Sequence, residues 1–277
     1  MKPALAALLL AAAPAALAAP PAKHLLVVCS PGSPGTTAEA QPTMDAFAAA
    51  LSARAGVPVA AVYDETEEAG VSRLRAKDAD LALVSLPFFL KHERDLALHA
   101  RLQAVQKGRP ELERWTLVAK KGRVTGPAAL DGYTIPSNAG FAPAFVRGPA
   151  LGGFGPLPAT ARVTSSTAVL SSLRRAAAGE KVAVLLDGAQ EAALPTLPFA
   201  AELEAVARSA PLPSGLVVTV GNRLPARSWS ALEGALRGLP SDPSGAAALD
   251  AIQTTRFAPL DEKALAAARR AFAEAAR

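Results

Sequence analysis

The chain has 277 residues, a formal net charge of +5 at pH 7, 51% hydrophobic and 19% charged residues, and one cysteine. A single cysteine excludes an internal disulfide framework, so an apolar core must hold the fold, and a chain of this length buries one. The positive charge forms no basic block: Arg174-Arg175 and Arg269-Arg270 are isolated pairs on helix-like segments. That speaks against a nucleic-acid partner and is compatible with an anionic ligand.

The first 19 residues read as a secretory signal peptide. Lys2 is a minimal positive region, Ala4 to Ala13 is an apolar run ended by Pro14, and Ala16-Leu17-Ala18 is a small-x-small cleavage pattern. Cleavage is expected after Ala18 or Ala19. The run is too short to span a membrane, and no cysteine follows it directly, which argues against a lipoprotein.

His24 to Cys29 reads as a buried strand, with Cys29 as a small apolar residue. Ser30 to Thr37 is a Gly/Pro/Ser/Thr loop before a helix that buries Met44, Phe47, Ala48 and Leu51 and stops at Gly56. Val57 to Tyr63 is a second strand. Thr66 caps a helix with Ala69 and Leu74 inward. Ala79 to Leu86 is a third strand, and Pro87 opens a helix. Arg101 to Gln106 and Arg114 to Ala119 are further strands. After the polar break Lys120 to Thr125, Tyr133 to Pro136 is a short strand, Ser137 to Gly140 a small polar loop, and a helix follows. Ala159 to Val163 is a strand. Ser166 caps a helix with Val169, Leu170 and Leu173 inward. Lys181 to Leu186 is a buried strand closed by Asp187-Gly188, and Glu202 to Ser209 and Ser214 to Val220 are strands. A helical face carries Trp229, Leu232, Ala235, Leu236 and Leu239; Phe257-Ala258-Pro259 is a loop; Asp261 to Arg277 is an amphipathic helix.

Alternating strands and helices argue for an α/β chain with a largely parallel sheet, in which ligands sit at the carboxyl ends of strands. No catalytic constellation is present. The three histidines, His24, His92 and His99, are too scattered for a metal site, and neither a nucleophile elbow nor a phosphate loop occurs. The chain therefore reads as a non-enzyme with no cofactor. What remains is a set of small polar residues at strand ends and helix starts: Thr36, Thr37, Tyr63, Ser85, Ser137, Asn138, Ala139, Gly140, Ser166 and Asp187. Free main-chain amides and small side chains at such places let a ligand approach the backbone, although each residue alone is an ordinary cap or turn former.

Several segments resemble exported solute-binding proteins of ABC importers, in the phosphate/phosphite/phosphonate branch. They are Lys77-Asp78-Ala79-Asp80-Leu81-Ala82, Ala129-Leu130-Asp131-Gly132-Tyr133-Thr134-Ile135, Ser137 to Pro143, Ala183 to Asp187, Ser209 to Pro213, Asp242-Pro243-Ser244-Gly245 and Phe257 to Asp261. Their order carries the resemblance more than any one of them. It implies the two-lobed type II periplasmic binding protein fold, each lobe a mixed, mostly parallel sheet flanked by helices. Lobe one would take 23–118 and 219–277, lobe two 119–218, joined by two crossover strands. It further implies a periplasmic monomer that closes on a small ligand, a phosphonate- or phosphate-like oxyanion, and delivers it to an ABC permease. Where that branch carries a Ser-Thr-Ser-Gly-like run, this chain has Ser137-Asn138-Ala139-Gly140, with two hydroxyls replaced. A larger or more apolar, lipid-like ligand, and a sensing module that presents to a membrane receptor, are the alternatives.

Overall fold

The computed structural model describes residues 23–32, 35–76 and 79–277. The expected signal peptide and its cleavage site lie outside the described residues, as do Ser33-Pro34 and Lys77-Asp78.

Short apolar runs build the first sheet. β1 (His24–Cys29) leads through α1 (Thr37–Ala55) to β2 (Val59–Asp64), and α2 (Glu67–Arg75) leads to β3 (Ala79–Ser85). α3 (Leu86–His92) then precedes β4 (Leu98–Gln106). Thr36 fixes the start of α1 by a reciprocal capping box with Glu39, and Gly56 ends it in the left-handed conformation. The chain leaves through β5 (Leu112–Glu113) and enters a second sheet with β6 (Thr116–Lys120). There follow β7 (Thr134–Ser137), α4 (Pro143–Phe145), β8 (Arg162–Ser165), α5 (Val169–Ala177), β9 (Val184–Leu186), α6 (Gly188–Ala193) and β10 (Leu203–Arg208). β11 (Leu212–Pro213) pairs with β5 and brings the chain back to the first sheet as β12 (Gly215–Val220). α7 (Ala226–Gly238), α8 (Pro243–Ala251), β13 (Thr254–Pro259) and α9 (Glu262–Ala275) complete it.

The first sheet has the order β13-β4-β12-β3-β1-β2. β2, β1 and β3 run parallel, whereas β12 is antiparallel to both its neighbours and β13 is antiparallel to β4. The sheet is thus mixed rather than mostly parallel, because β12 re-enters from the end at which β3 finishes. In the second unit β6 lies antiparallel between β10 and β9, and the parallel pair β7–β8 joins through the Thr134–Val182 bridge. The lobe limits drawn at 118/119 and 218/219 fall inside β6 and β12; pairing keeps each whole strand in one sheet.

Four other expectations meet a different structure. Phe257 to Pro259 is the end of β13 rather than a loop; β13 is an edge strand, where a proline costs no ladder bond. Leu170 is 45% exposed rather than inward, because α5 buries Ser172, Leu173, Ala176 and Ala177. In α2 the inward residue is Gly70 and not Ala69: a Cβ on Gly70 would stand 2.3 Å from Cys29 Sγ. The helix expected after Gly140 is one short turn, α4, continued by a π-helical turn over Val146–Ala150.

One hydrophobic core runs through both sheets. Val27, Cys29, Phe88 and Phe89 meet Trp115, Ile135, Phe145 and Leu185, and α9 contributes Leu265 and Ala268. Trp115 packs edge-on to Phe145 with ring centroids 5.0 Å apart. α9 ties the two halves together. Arg269 pairs with Glu93 at 2.6 Å beside the Phe89 ring, and the helix backbone at Ala271 lies so close to Gly148 that a Cβ there would stand 2.2 Å from Ala271 O.

Candidate functional site

The ends of β1, β3 and β4 face the β7–α4 loop and the end of β9 across a narrow cleft. β5 and the entry to β12 close its floor. The cavity measures about 70 Å³ and its walls include Ser30, Ser85, Gln106, Glu113, Trp115, Asn138, Ala139, Phe141, Asp187 and Ser214.

Ser85 follows from β3 at the N-cap position of α3, yet its hydroxyl makes no capping bond. Its Oγ is buried with no hydrogen-bond partner, and so is Trp115 Nε1. Buried donors without partners are costly and rare in native proteins. Tyr63 Oη, Thr116 Oγ1 and Arg256 Nη1 are also buried without a partner, but of these atoms only Ser85 Oγ and Trp115 Nε1 belong to residues lining the cavity, which makes them its candidate donors to a ligand.

Asp187 closes β9 and organises the opposite wall. Oδ1 accepts the amides of Ala189 (2.7 Å) and Gln190 (2.8 Å), capping α6, and Oδ2 accepts from Asn138 Nδ2 at 2.7 Å. The Asn138 side chain is thereby held against the second sheet. Glu113 lies beside this pair, 6% exposed, and Oε2 accepts from the Gly188 amide at 3.3 Å. Burial, then the Asp187 charge, pushes the Glu113 carboxyl up to about 7; the Gly188 amide, Arg109 and the Trp115 indole favour its ionised form. The Trp115 indole thus leans on the carboxylate without reaching hydrogen-bond geometry.

The halves touch directly across the cleft. A Cβ on Gly32, in the loop after β1, would stand 2.7 Å from Asn138 Cβ and 2.8 Å from its carbonyl oxygen. Lys91 Nζ reaches the Phe141 carbonyl at 2.7 Å. Gly32 also has φ +83, which an L side chain adopts at a cost. Gly32→Ala is therefore expected to hold the halves apart: small-angle scattering will show a larger radius of gyration than wild type under ligand-saturating conditions. An unchanged radius would mean that this contact does not limit closure.

Of the residues read from sequence, the cleft brings together Ser85, Asn138, Ala139 and Asp187. The others are not among its walls. Thr36 and Thr37 are exposed; the Thr36 hydroxyl belongs to the α1 capping box and the Thr37 amide donates to Glu65. Tyr63 is buried in the core on the α1 side of the first sheet. Ser137 is fully buried, and its Oγ accepts from the Ala139 amide. Gly140 is pressed against Thr164, and Ser166 Oγ accepts from the Ala168 amide ahead of α5. Sequence reasoning passed over Glu113 and Trp115. Their one local sign is a carboxylate and a tryptophan directly before an apolar strand.

The fold is the type II periplasmic binding protein fold: two α/β lobes, each a mixed sheet flanked by helices, with the cleft between them. XAC2383 from Xanthomonas citri, solved bound to chloride ion, has a TM-score of 0.74 and 16% identity over 91% of this chain and 98% of its own. The binding protein component of an ABC phosphonate transporter from Pseudomonas aeruginosa gives 0.67 and 15%, over 91% of this chain and 87% of its own. PhnD1 from Prochlorococcus marinus, in complex with methylphosphonate, gives 0.61 and 17%, over 87% and 94%. No protein-family model and no curated protein matches the chain.

Proposed function

We propose that this chain is the solute-binding component of an ABC importer, a periplasmic protein that closes two lobes over a small polar ligand and presents it to a membrane permease. The observation that carries the reading is the pair of unpartnered buried donors, Ser85 Oγ and Trp115 Nε1, on one small cavity between the sheets. Both suit an acceptor oxygen of a ligand. The lobes divide at β5 and β11, so that β6 to β10 form lobe two. The shared fold with a phosphonate-transporter binding protein supports this reading, and among the described residues no helix is long and apolar enough to cross a membrane. The likeness to phosphonate binders suggests a small ligand with oxygen acceptors, which the two donors suit. A cavity of about 70 Å³ suits a small polar solute better than a lipid.

Native mass spectrometry of the purified mature protein identifies a retained solute, and calorimetry measures its affinity. Ser85→Ala and Trp115→Phe are each expected to weaken that affinity about tenfold, the loss of one ligand hydrogen bond of about 1–1.5 kcal/mol. Ser85→Ala is expected to leave the melting temperature of the empty protein unchanged or raised, because it removes an unsatisfied hydroxyl. Retention of no solute, together with identical scattering across a metabolite screen, would count against the reading.

A further inference from the structure

The carboxylates on the cavity wall belong to no part of an oxyanion cradle, and they bear on what the cleft selects. We infer that the solute carries a protonated amine, which docks against Glu113 and Asp187, and an oxygen acceptor, which docks against the Ser85 hydroxyl and the Trp115 indole N–H. The inference rests on the reading of the chain as a solute-binding protein and names the ligand's chemistry.

Three observations support it. First, both charged residues on the cavity wall are acidic; among the described residues no lysine or arginine lines it. Lys91, outside the wall, is engaged elsewhere. Lys91 lies 2.5 Å from Glu67 and donates to the Phe141 carbonyl. Arg109 sits behind the wall, with Nη1 3.1 Å from where a Cβ on Gly188 would stand. An entering anion meets two carboxylates at the wall, with Arg109 acting on Glu113 only from behind it, whereas an ammonium group adds a favourable charge beside a carboxyl that is raised first by burial and then by Asp187. Second, the acidic pair is not an isolated cluster. Trp115 is 4% exposed and lines the same cavity with an unpartnered Nε1, so the wall offers a donor beside the carboxylates. A ligand with one cationic and one acceptor end satisfies both. Third, the size is restrictive. A cavity of about 70 Å³ suits a small solute rather than a long chain. A two- or three-carbon amino alcohol or amino acid is such a solute.

The test is calorimetry at pH 8 on the full mature chain. Ethanolamine, glycine and alanine serve as amine probes, with ethylene glycol as neutral control and acetate and methylphosphonate as anions. At least one amine probe is expected to bind. Glu113→Gln, which keeps an acceptor for the Gly188 amide, is expected to weaken it at least tenfold. Binding is also expected to weaken as pH falls below 7, where Glu113 takes up a proton; Asp187 and Arg109 are the charged groups acting on it. The inference is overturned if no amine probe binds, or if amine affinity is equal in Glu113→Gln. It is equally overturned if methylphosphonate or acetate binds and Glu113→Gln leaves that binding unchanged or tighter. Anion binding that is lost in Ser85→Ala removes the amine assignment and keeps the solute-binding reading. Absence of any retained solute and of any closure removes the solute-binding reading itself.

Discussion

Glu113→Gln is expected to stabilise the empty protein at pH 8 and to leave it unchanged near pH 4. The carboxyl has an ordinary value of 4.5 and is pushed up to about 7 in the folded protein, first by burial and then by Asp187. Between those two values the folded protein holds a proton that the unfolded chain has released. Stability therefore falls as pH rises through this window, and the loss is complete above pH 7. The separation corresponds to about 3 kcal/mol at most. The amide has no charge to desolvate, so the variant escapes that loss while keeping the bond from the Gly188 amide. For a chain of this size the gain amounts to roughly 5–10 °C in melting temperature. Thermal melts of both proteins at pH 4, 6 and 8 decide it: parallel stability curves across that range would mean that the Glu113 carboxylate is not strained by its surroundings. The same substitution is expected to weaken an amine ligand. A site residue that costs stability when the cleft is empty and is repaid on binding is a recurrent pattern in functional sites.

The sheets were legible because burial leaves a simple mark. Strands such as Leu25 to Cys29, Ala79 to Val84 and Leu216 to Val220 are covered by helices or neighbouring strands, and they read as apolar runs broken only by Asp80 and Thr219. A local signal misleads where its tertiary setting changes its meaning. Pro259 marks the end of an edge strand and not a loop. Gly70 looks like a helix weakness, yet it is what lets α2 lie on Cys29.

The candidate site was half legible for a related reason. Hydroxyls and small residues at strand ends are visible in sequence, but a threonine that caps a helix and one that grips a ligand look alike. Thr36 is taken by α1, whereas Ser85, at an equivalent position before α3, leaves its hydroxyl to the cleft. Glu113 and Trp115 could not be singled out, because their burial depends on the pairing of β5 with β11, Glu113 lying opposite Leu212 far along the chain.

Gly140→Ala is expected to destabilise the fold by about 3 kcal/mol and to abolish ligand binding. A Cβ at this position would stand 2.1 Å from Thr164 O, 2.3 Å from its carbonyl carbon and 2.5 Å from the Ser165 amide nitrogen. All three are main-chain atoms, so no rotamer change relieves the overlap, and overpacking against backbone sits at the upper end of the usual 1–3 kcal/mol. Neither partner is free to move. Ser137 pairs with Ser165 in the β7–β8 ladder, the Ser166 amide donates to Ser137 O at 2.9 Å, and the Gly140 amide donates to Ser137 O at 3.1 Å. Relaxation must therefore shift the loop that carries Asn138 and Ala139, and with it the Asn138–Asp187 bond that sets one wall of the cleft. Gly153→Ala is the control: a Cβ there meets nothing within 4 Å, and stability and affinity should stay as in wild type. Denaturant titration and calorimetry on both variants separate two roles for Gly140. Loss of binding with full stability would mean that the glycine is there to let a ligand reach the main chain. Loss of both, which the contact with Thr164 demands, means that it is there to let two strands close, and that the cleft wall depends on their closing.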